Sequence, residues 1–261
     1  MGEGIALTVS YDGSGFHGFA RQEGLSTVQG TLESALATVL RTEIRTTGAG
    51  RTDTGVHARA QVVSFEADDV LPDLDSLVRS LNALCASKGI AIKGARRTAP
   101  DFSARFDASS REYRYRLATG ATPPVFMSRY AWWVRKPLDL EAMQEGGVIL
   151  IGEHDFASFC VARSAEGKST VRALEVVDVD RHTLLGEECV TVRVIGDAFL
   201  HSMVRVVVGS LVEVGIGKRE PSWLADALSA KIRRAAGPTA PSHGLTLWNV
   251  TYPESCWVDQ V

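Results

Sequence analysis

The chain has 261 residues, of which 45% are hydrophobic and 23% charged, and its formal net charge is −3 at pH 7. This composition is typical of a globular protein with one large domain or two smaller ones. No apolar run reaches the roughly 18–20 residues of a membrane span, and the N-terminus lacks a signal-peptide pattern, so we expect a cytoplasmic protein. A slightly acidic chain is not a generally basic nucleic-acid binder, so any RNA-binding surface must be a local patch.

The cysteines and histidines do not form a recognisable metal or redox motif. The four cysteines are widely spaced without a CxxC pair, and none of the six histidines stands at zinc-ligand spacing from them. We therefore expect free thiols and no metal at Cys85, Cys160, Cys189 and Cys256.

The N-terminal region contains a strand, a glycine-rich turn and a helix. Residues 5–11 alternate as a strand, and Gly13–Gly18 after them match G-x-G-x-x-G. A dinucleotide-binding loop of that form opens a helix directly, whereas here a polar loop intervenes. We interpret the glycines as a turn that brings the backbone close to a ligand or another strand. Ser26 and Gln29 stand at capping-box spacing and predict a helix that ends at about Arg41.

The most informative stretch is Gly48–Ala58, with the sequence GAGRTDTGVHA, between a predicted strand at 43–46 and a second strand. Three glycines in eight residues allow positive φ angles, so Arg51, Asp53 and His57 should lie on a tight loop. One interpretation is an Asx-turn, in which Asp53 bonds its own backbone and the basic side chains are solvated. The other is a carboxylate aimed by a loop that two strands hold in place.

A second helix and strand complete the first half. Pro72 and Asp73 predict the start of the helix, and residues 90–93 predict the strand that follows. The succession of strands and helices predicts an α+β fold with helices on one face of a mostly antiparallel sheet. The predicted inward face of the helix consists of Leu74, Leu77, Val78, Leu81 and Leu84.

The basic charge that the whole chain lacks is concentrated in residues 93–116, with seven basic residues against three acidic ones. Bases stack on aromatic rings and phosphates bind guanidinium groups, so aromatic residues interleaved with arginines suit RNA. The alternative is an ordinary amphipathic strand whose tyrosines belong to the core. The alternating strand at 111–117 places Tyr113, Tyr115 and Leu117 on one face and Arg114 and Arg116 on the other.

The second half repeats the mixture of helices and strands. Its predicted elements are a loop or boundary at 118–124, a helix at 140–151, strands at 171–179 and 189–195, a helix at 223–230 and a strand at 245–250.

The segment Phe199–Gly215 is apolar around most of a helical circumference, which predicts a buried helix. Arg205 lies on its narrow polar strip. Because an unpaired buried ion costs several kcal/mol, Arg205 should face a carboxylate. Glu213, two turns along the same strip, is the structural candidate, and Asp53 is the functional one.

The string G-x-G-R-T-D-x-G-V-H-A resembles the active-site signature of the TruA-type tRNA pseudouridine synthases. Two positions depart from the common pattern, because Phe19 stands where tryptophan is frequent and Thr246 where an aromatic residue is frequent. The resemblance extends from about Ala6 to Pro253 and includes further motifs in the family's order: Tyr11–Gly13 with Val28–Gly30, Phe102–Phe106 with Arg111–Tyr115, Phe199–Arg205 and Ala240–Leu245.

The resemblance implies a pseudouridine synthase fold. This is an α+β fold of two similar subdomains, whose mostly antiparallel sheets join into one extended sheet with helices on one face and an active-site cleft between them. Residues 1–110 would carry the aspartate loop, and residues 111–261 the stacking tyrosine and the arginine. The resemblance also implies a homodimer that isomerises uridine in the anticodon stem-loop of tRNA without a cofactor.

The resemblance further implies roles for individual side chains. Asp53 would be the catalytic aspartate, Arg205 its basic partner, Tyr113 the ring that stacks on the target uracil, Arg51 the residue that helps to flip the base, and Leu245 its cover from the other side. We add His57, Arg111 and Arg114 as substrate-binding candidates.

Two other functions remain open. The basic tyrosine strand also fits an RNA-binding module without catalysis. The departures at Phe19 and Thr246 would fit a relative that acts on a small nucleoside or on another RNA.

Overall fold

The computed structural model describes residues 3–67, 73–99, 101–161, 167 and 169–258, and within them the chain forms ten strands and five α-helices. The strands are β1 (Glu3–Tyr11), β2 (Thr47–Gly48), β3 (His57–Ala67), β4 (Ile90–Thr98), β5 (Ser110–Ala118), β6 (Trp132–Trp133), β7 (Gly152–Asp155), β8 (Val171–Leu184), β9 (Glu187–Gly196) and β10 (Leu245–Thr251). The helices are α1 (Val28–Leu40), α2 (Leu74–Cys85), α3 (Leu140–Ile149), α4 (Met203–Gly215) and α5 (Trp223–Ala230).

The chain folds into two compact units. Unit 1 comprises Met1–Ser110 and Leu247–Val261, and unit 2 comprises Arg111–Thr246. The C-terminal residues from Leu247 onward, expected in the second subdomain, join unit 1 in the structure. The reason is a set of contacts with the end of β4 and the loop after it: Tyr252 donates a 2.6 Å hydrogen bond to the Ala104 carbonyl, and Trp257 bridges to Thr98.

In unit 1, β1 pairs antiparallel with both β3 and β4, and β2 pairs antiparallel with β3. Helices α1 and α2 pack against each other, and α2 packs against β4. Alternation along β1 places Ile5, Leu7, Val9 and Tyr11 on one face, where they form part of the apolar core. The residues of β1 and the two helices with no exposed surface are Ile5, Leu7, Val9, Leu32, Leu36, Leu81 and Cys85.

The start of α1 differs from the prediction. The N-cap is Thr27 rather than Ser26, because the Thr27 hydroxyl accepts the Gly30 N–H at 3.3 Å. The Gln29 side chain does not close a capping box but donates a 2.8 Å hydrogen bond to the Thr46 carbonyl. The helix ends where predicted, because Arg41 adopts a left-handed conformation with φ of 57°.

Two further predictions in unit 1 are wrong in detail. The strand before the Asp53 loop is only Thr47–Gly48, because the buried carboxylate of Glu33 binds the N–H and hydroxyl of Thr46 at 3.0 and 3.1 Å, in place of a strand partner. Leu84 of α2 is 38% exposed, and Cys85 takes the inward position. Asp73 caps α2 as expected, whereas Pro72 lies outside the described residues.

In unit 2, β9 pairs antiparallel with β5 and β8, and β8 pairs antiparallel with β7, while the short β6 runs parallel to β5. Helix α4 is buried along nearly its whole length, which confirms the prediction from its apolar circumference. It begins at Met203 rather than Phe199, because Ser202 has φ of 58° and interrupts the helical backbone.

The α+β class and the mostly antiparallel strands are confirmed. All four cysteines are free thiols. Among the helices of the described residues, none has the length and hydropathy needed to cross a membrane.

Candidate active site

Asp53 lies on a tight turn between β2 and β3 in unit 1. The turn is closed by a 3.1 Å hydrogen bond from the Val56 N–H to the main-chain carbonyl of Asp53, and Gly55 has φ of 79°. This conformation favours glycine and explains one residue of the signature. The Asp53 side chain is half-buried, whereas Arg51 is exposed.

Other segments hold the backbone just before Asp53. Gln61 of β3 donates a 2.8 Å hydrogen bond to the Gly50 carbonyl. The Thr52 hydroxyl lies 2.7 Å from the Tyr11 hydroxyl at the end of β1, and the Thr52 carbonyl accepts the Phe19 N–H at 3.0 Å. Burial raises the pKa of Tyr11 to about 12 despite the hydrogen bonds from Thr52 and Gln61. The segment just before Asp53 is therefore bonded to β3 and to the loop after the glycine turn through its main chain, and to β1 through the Thr52 side chain.

The backbone just after Asp53 rests on the glycine turn at Gly13–Gly15. A Cβ on Gly13 would lie 2.0 Å from the Val56 carbonyl oxygen, so only glycine allows this approach. His57 is 3% exposed, and its Nδ1 lies 3.1 Å from the Gly13 nitrogen and 3.2 Å from Oδ1 of Asp12. The glycines that mimic a dinucleotide motif thus form a turn against which the Asp53 loop packs, as predicted.

In unit 2, Tyr113 and Tyr115 share one face of β5 but differ in their surroundings. Tyr115 is fully buried, donates a 2.8 Å hydrogen bond to the Pro241 carbonyl and packs so closely on Gly244 that a Cβ there would lie 2.6 Å from its ring. Burial raises the pKa of Tyr115. Tyr113 is 8% exposed and meets the edge of Phe199, with ring centroids 5.1 Å apart. The core interpretation of the strand therefore holds for Tyr115.

Arg205 lies half-buried on the first turns of α4. Its Nε donates a 2.8 Å hydrogen bond to the Ala240 carbonyl, and the Ala240 N–H donates to the Arg205 carbonyl at 3.0 Å. This reciprocal pair orients the planar guanidinium group. Glu213, the structural candidate for its partner, forms a 2.6 Å ion pair with Lys218 instead.

The segment 236–244 is held along α4 beyond Arg205. Ser210 accepts the Gly237 N–H at 2.9 Å, and a Cβ on Gly209 would lie 1.9 Å from the Pro238 carbonyl oxygen. This segment leads directly into Leu245, which is 5% exposed at the start of β10. The segment 236–244 therefore both orients Arg205 and fixes the start of β10 at Leu245.

The two remaining arginine candidates lie on β5. Arg111 is 9% exposed, and its Nη1 donates a 2.6 Å hydrogen bond to the Asp197 carbonyl. Arg114 and Arg193 both contact the Glu112 carboxylate, at 2.7 and 3.1 Å. Two cations thus share the Glu112 carboxylate on a partly exposed surface.

The structure groups the predicted residues by unit: Arg51, Asp53 and His57 on one loop of unit 1, and Arg111, Tyr113, Arg114, Arg205 and Leu245 in unit 2. Sequence reasoning missed the supporting contacts of Thr52, Gln61, Phe199 and Ala240. Their only signal in the sequence was that they lie in or near the recognised motifs, because no local pattern indicates which residue each of them contacts.

Comparison with known proteins identifies the class of enzyme. A family model described as tRNA pseudouridine synthase matches residues 7–107 and 148–253. The chain therefore belongs to the tRNA pseudouridine synthase family, as the sequence motifs predicted, and is an isomerase of uridine in RNA.

Individual relatives support the same assignment over nearly the full length. Three of them are called tRNA pseudouridine synthase A. The protein from Halalkalibacterium halodurans is 45% identical over 92% of this chain and 89% of its own. The proteins from Brevibacillus brevis and Frankia casuarinae are 44% and 46% identical, each over 95% of this chain and over 99% and 89% of their own lengths.

Proposed function

We propose that this chain converts uridine to pseudouridine in the anticodon stem-loop of tRNA, with Asp53 as the catalytic carboxylate. The observation that carries the proposal is the set of hydrogen bonds that holds the Asp53 loop on both sides of the aspartate. Before it, Gln61 bonds the Gly50 carbonyl and Tyr11 bonds the Thr52 hydroxyl; after it, the Gly13 N–H bonds Nδ1 of His57. A preorganised carboxylate is what nucleophilic or base catalysis requires.

The reaction is an isomerisation and needs no redox partner. The N1–C1′ bond of the uridine breaks, the uracil turns in its plane, and a C5–C1′ bond forms. The C5 proton leaves to solvent while N1 gains a proton, so atoms and charge balance. Asp53 can add to C1′, add to C6 or remove a ribose proton to give a glycal, and each route requires the ionised carboxylate. We accordingly propose that the enzyme works without a cofactor.

The other candidates supply binding and charge. Arg205, oriented by Ala240, is the proposed cation that stabilises ionised Asp53. Tyr113 would stack on the target uracil and Leu245 would cover its other face, since a freed base must be kept from solvent. Arg51, exposed beside Asp53, would occupy the space that the flipped base leaves.

Further residues complete the proposed RNA contact. Arg111 and Arg114 would meet the phosphates, because both lie on the basic strand β5. His57 is buried against Gly13, so we propose that it serves binding by holding the Asp53 loop in place. A homodimer would extend the basic surface along the tRNA, and the cytoplasm is the proposed location.

The decisive experiment compares Asp53→Asn with wild type on tRNA that carries tritium at uridine C5. Asp53→Asn should release no tritium above background while still binding tRNA in a filter assay, because the amide keeps the shape but loses the charge. The exposed Asp226 of α5 offers a control, and Asp226→Asn should keep the wild-type rate. Turnover by Asp53→Asn at the wild-type rate would remove Asp53 from the mechanism.

The substrate and the assembly need separate measurements. Free uridine and uridine monophosphate, assayed beside tRNA, should show no turnover; conversion of either at a comparable kcat/KM would favour the small-nucleoside alternative. Binding of tRNA without any turnover by wild type would favour an RNA-binding module. A monomer mass by sedimentation at assay concentrations would contradict the dimer.

A further inference from the structure

Phe106 in unit 1 exposes 79% of its side chain, although the loop that carries it is firmly held. The Ala104 N–H donates to the Ser64 hydroxyl at 3.1 Å, and the Ala104 carbonyl accepts from Tyr252 at 2.6 Å. The Ser103 N–H donates to the Asp107 carboxylate at 2.7 Å. Because the loop is anchored at Ala104 and closed between Ser103 and Asp107, the exposure of Phe106 is not the result of an unrestrained backbone.

The floor beneath this loop is aromatic. Phe102 packs against Tyr252 and Trp257, with ring centroids 5.2 and 5.4 Å apart, and Arg96 lies over the Trp257 ring at 4.2 Å. The Tyr252 and Trp257 rings therefore pack against Phe102 at the start of the loop. Phe106, four residues later, faces water on this rigid support, so its ring is accessible to a flat partner.

The chemistry around Phe106 indicates the kind of partner. The Arg105 guanidinium lies over the Phe106 ring at 5.4 Å. The part of the basic segment 93–116 that belongs to unit 1, residues 93–110, carries four basic residues against two acidic ones. An exposed ring next to a cation suits a nucleobase with its phosphate, since every base has a face that stacks and every nucleotide a negative charge. A protein partner would need a larger apolar patch or acidic complementarity.

The Phe106 loop is attached close to the loop of the catalytic candidate. Ser64, which anchors Ala104, pairs with Thr47 at the end of β2. Val62, two residues along the same strand and about 7 Å away, accepts the Ala49 N–H where the Asp53 loop departs. Both loops are therefore hydrogen-bonded to the same stretch of β3, one at Ser64 and the other at Val62.

We propose that Phe106 stacks on an unpaired nucleobase within a few nucleotides of the target uridine, and that Arg105 binds the adjoining phosphate. The inference rests on the RNA-directed function proposed above and adds a second base contact to it. It assigns Phe106 to substrate binding and not to the chemical step. Its loss should therefore raise KM for tRNA while leaving kcat at saturation nearly unchanged.

The test compares Phe106→Leu with Phe106→Trp, measuring kcat, KM and the Kd for tRNA. Leucine keeps an apolar side chain but removes the stacking face, so tRNA binding should weaken about fivefold or more, whereas tryptophan should stay within about twofold of wild type. Phe126 of unit 2, which is 68% exposed, provides the matched control, and Phe126→Leu should bind tRNA as wild type does.

A second variant separates the charge from the ring. Arg105→Gln should reduce the slope of log Kd against log salt by about one counterion, because one phosphate contact is lost. Phe106→Leu should leave that slope unchanged, since stacking releases no counterion. A merely structural role of this loop would change both variants alike and would lower their thermal stability.

Several outcomes overturn the inference. The first is a Phe106→Leu variant that binds tRNA as tightly as wild type, and the second is a Phe126→Leu variant that loses as much tRNA affinity as Phe106→Leu. The third is a smaller mass for Phe106→Leu in sedimentation, which would make Phe106 a contact between protein copies. Failure of the proposed function looks different. If wild type binds tRNA through Phe106 but forms no pseudouridine, the base contact stands and the enzymatic proposal falls. If wild type forms pseudouridine and Phe106→Leu binds normally, only this inference falls.

Discussion

The Asp53 loop of unit 1 and the Arg205 helix of unit 2 position their side chains by different means. Asp53 sits in a turn that is held mainly by bonds from outside it, such as Phe19 to the Thr52 carbonyl, Tyr11 to the Thr52 hydroxyl and Gln61 to the Gly50 carbonyl. Arg205 sits on a buried helix with its own continuous hydrogen bonds. The loop can therefore lose its geometry while the unit stays folded, whereas the helix cannot move without disturbing a core.

Two glycines make this comparison testable, because each lies against a carbonyl oxygen that a Cβ would strike. The distance from the added Cβ is 1.9 Å for Gly209, facing Pro238, and 2.0 Å for Gly13, facing Val56. The same steric conflict should therefore give a stability defect in α4 and an activity defect beside Asp53.

The largest expected effect is that of Gly209→Ala. Alanine is the better helix former, but neither the buried helix nor the backbone at Pro238 can yield, so unfolding free energy should fall by about 3 kcal/mol. Thermal denaturation followed by circular dichroism should show a loss of roughly 6–12 °C. Gly94 of β4 has open space around its Cβ position, and Gly94→Ala should stay near wild type. Equal melting of Gly209→Ala and wild type would mean that the segment at Pro238 is not held on α4.

Gly13→Ala should act mainly on catalysis. Displacing Val56 shifts the turn that carries Asp53, and a misplacement of about 1 Å can cost on the order of 100-fold in rate. We expect kcat on tRNA to fall about 10- to 100-fold, with a smaller change in melting temperature than for Gly209→Ala.

The neighbouring Gly15 is the control for this variant, since no atom lies within 4 Å of its Cβ position. Gly15→Ala should keep the wild-type rate. If both variants lose activity equally, the turn matters through its flexibility and the close approach to Val56 does not explain the defect.

The sequence predicted best where one element carries its own pattern. The alternation of β5 predicted a strand and the apolar circumference of α4 predicted a buried helix, since each pattern reflects burial along a single segment. The inward face of α2 was right at Leu74, Leu77 and Leu81, whereas the predicted Val78 is only half-buried. At the end of the helix, Cys85 rather than Leu84 is buried. One turn of a helix offers adjacent apolar residues, and only packing decides between them.

The sequence predicted least where side chains reach across the chain. Ser26 and Thr27 are both good N-caps, and the choice of Thr27 goes together with Gln29 reaching Thr46 rather than its own helix end. The bond between Tyr11 and Thr52 joins residues 41 positions apart, and the bond between Arg205 and Ala240 spans 35. No local pattern encodes such pairs. The motifs marked the segments involved but did not say which atoms meet.

Tyr11→Phe should have a moderate effect that depends on pH. Removing the hydroxyl takes a buried partner from Thr52 and should cost about 1 kcal/mol at neutral pH. In the folded protein burial raises the pKa of Tyr11 from about 10 to about 12, so the neutral form is favoured. The stability that the buried neutral phenol contributes is fully present below pH 10 and is lost as the pH rises from 10 to 12, where the unfolded chain ionises first.

The pH dependence extends the comparison to unit 2. Urea titrations from pH 9 to 12 should show a shallower alkaline loss of stability in Tyr11→Phe than in wild type. Burial also raises the pKa of Tyr115, so Tyr115→Phe should show a change in the same direction. Tyr11→Phe should in addition lower kcat, because Thr52 precedes Asp53, whereas an unchanged kcat would show that the Tyr11 bond does not position the loop.

The smallest expected effects come from partly exposed ion pairs, one in each unit. Lys218, which pairs with Glu213, is 61% exposed, and Arg21, which pairs with Glu33 at 3.2 Å, is 57% exposed. Lys218→Gln and Arg21→Gln should each change the free energy of unfolding by less than about 1 kcal/mol in urea titrations. Glu33 keeps its bonds to Thr46 when Arg21 is changed. If Lys218→Gln alone lowered the free energy of unfolding by more than about 2 kcal/mol, the buried part of Glu213 would depend on its pair with Lys218. A single lost contact would then affect the polar strip of α4 at least as much as it affects the Asp53 loop.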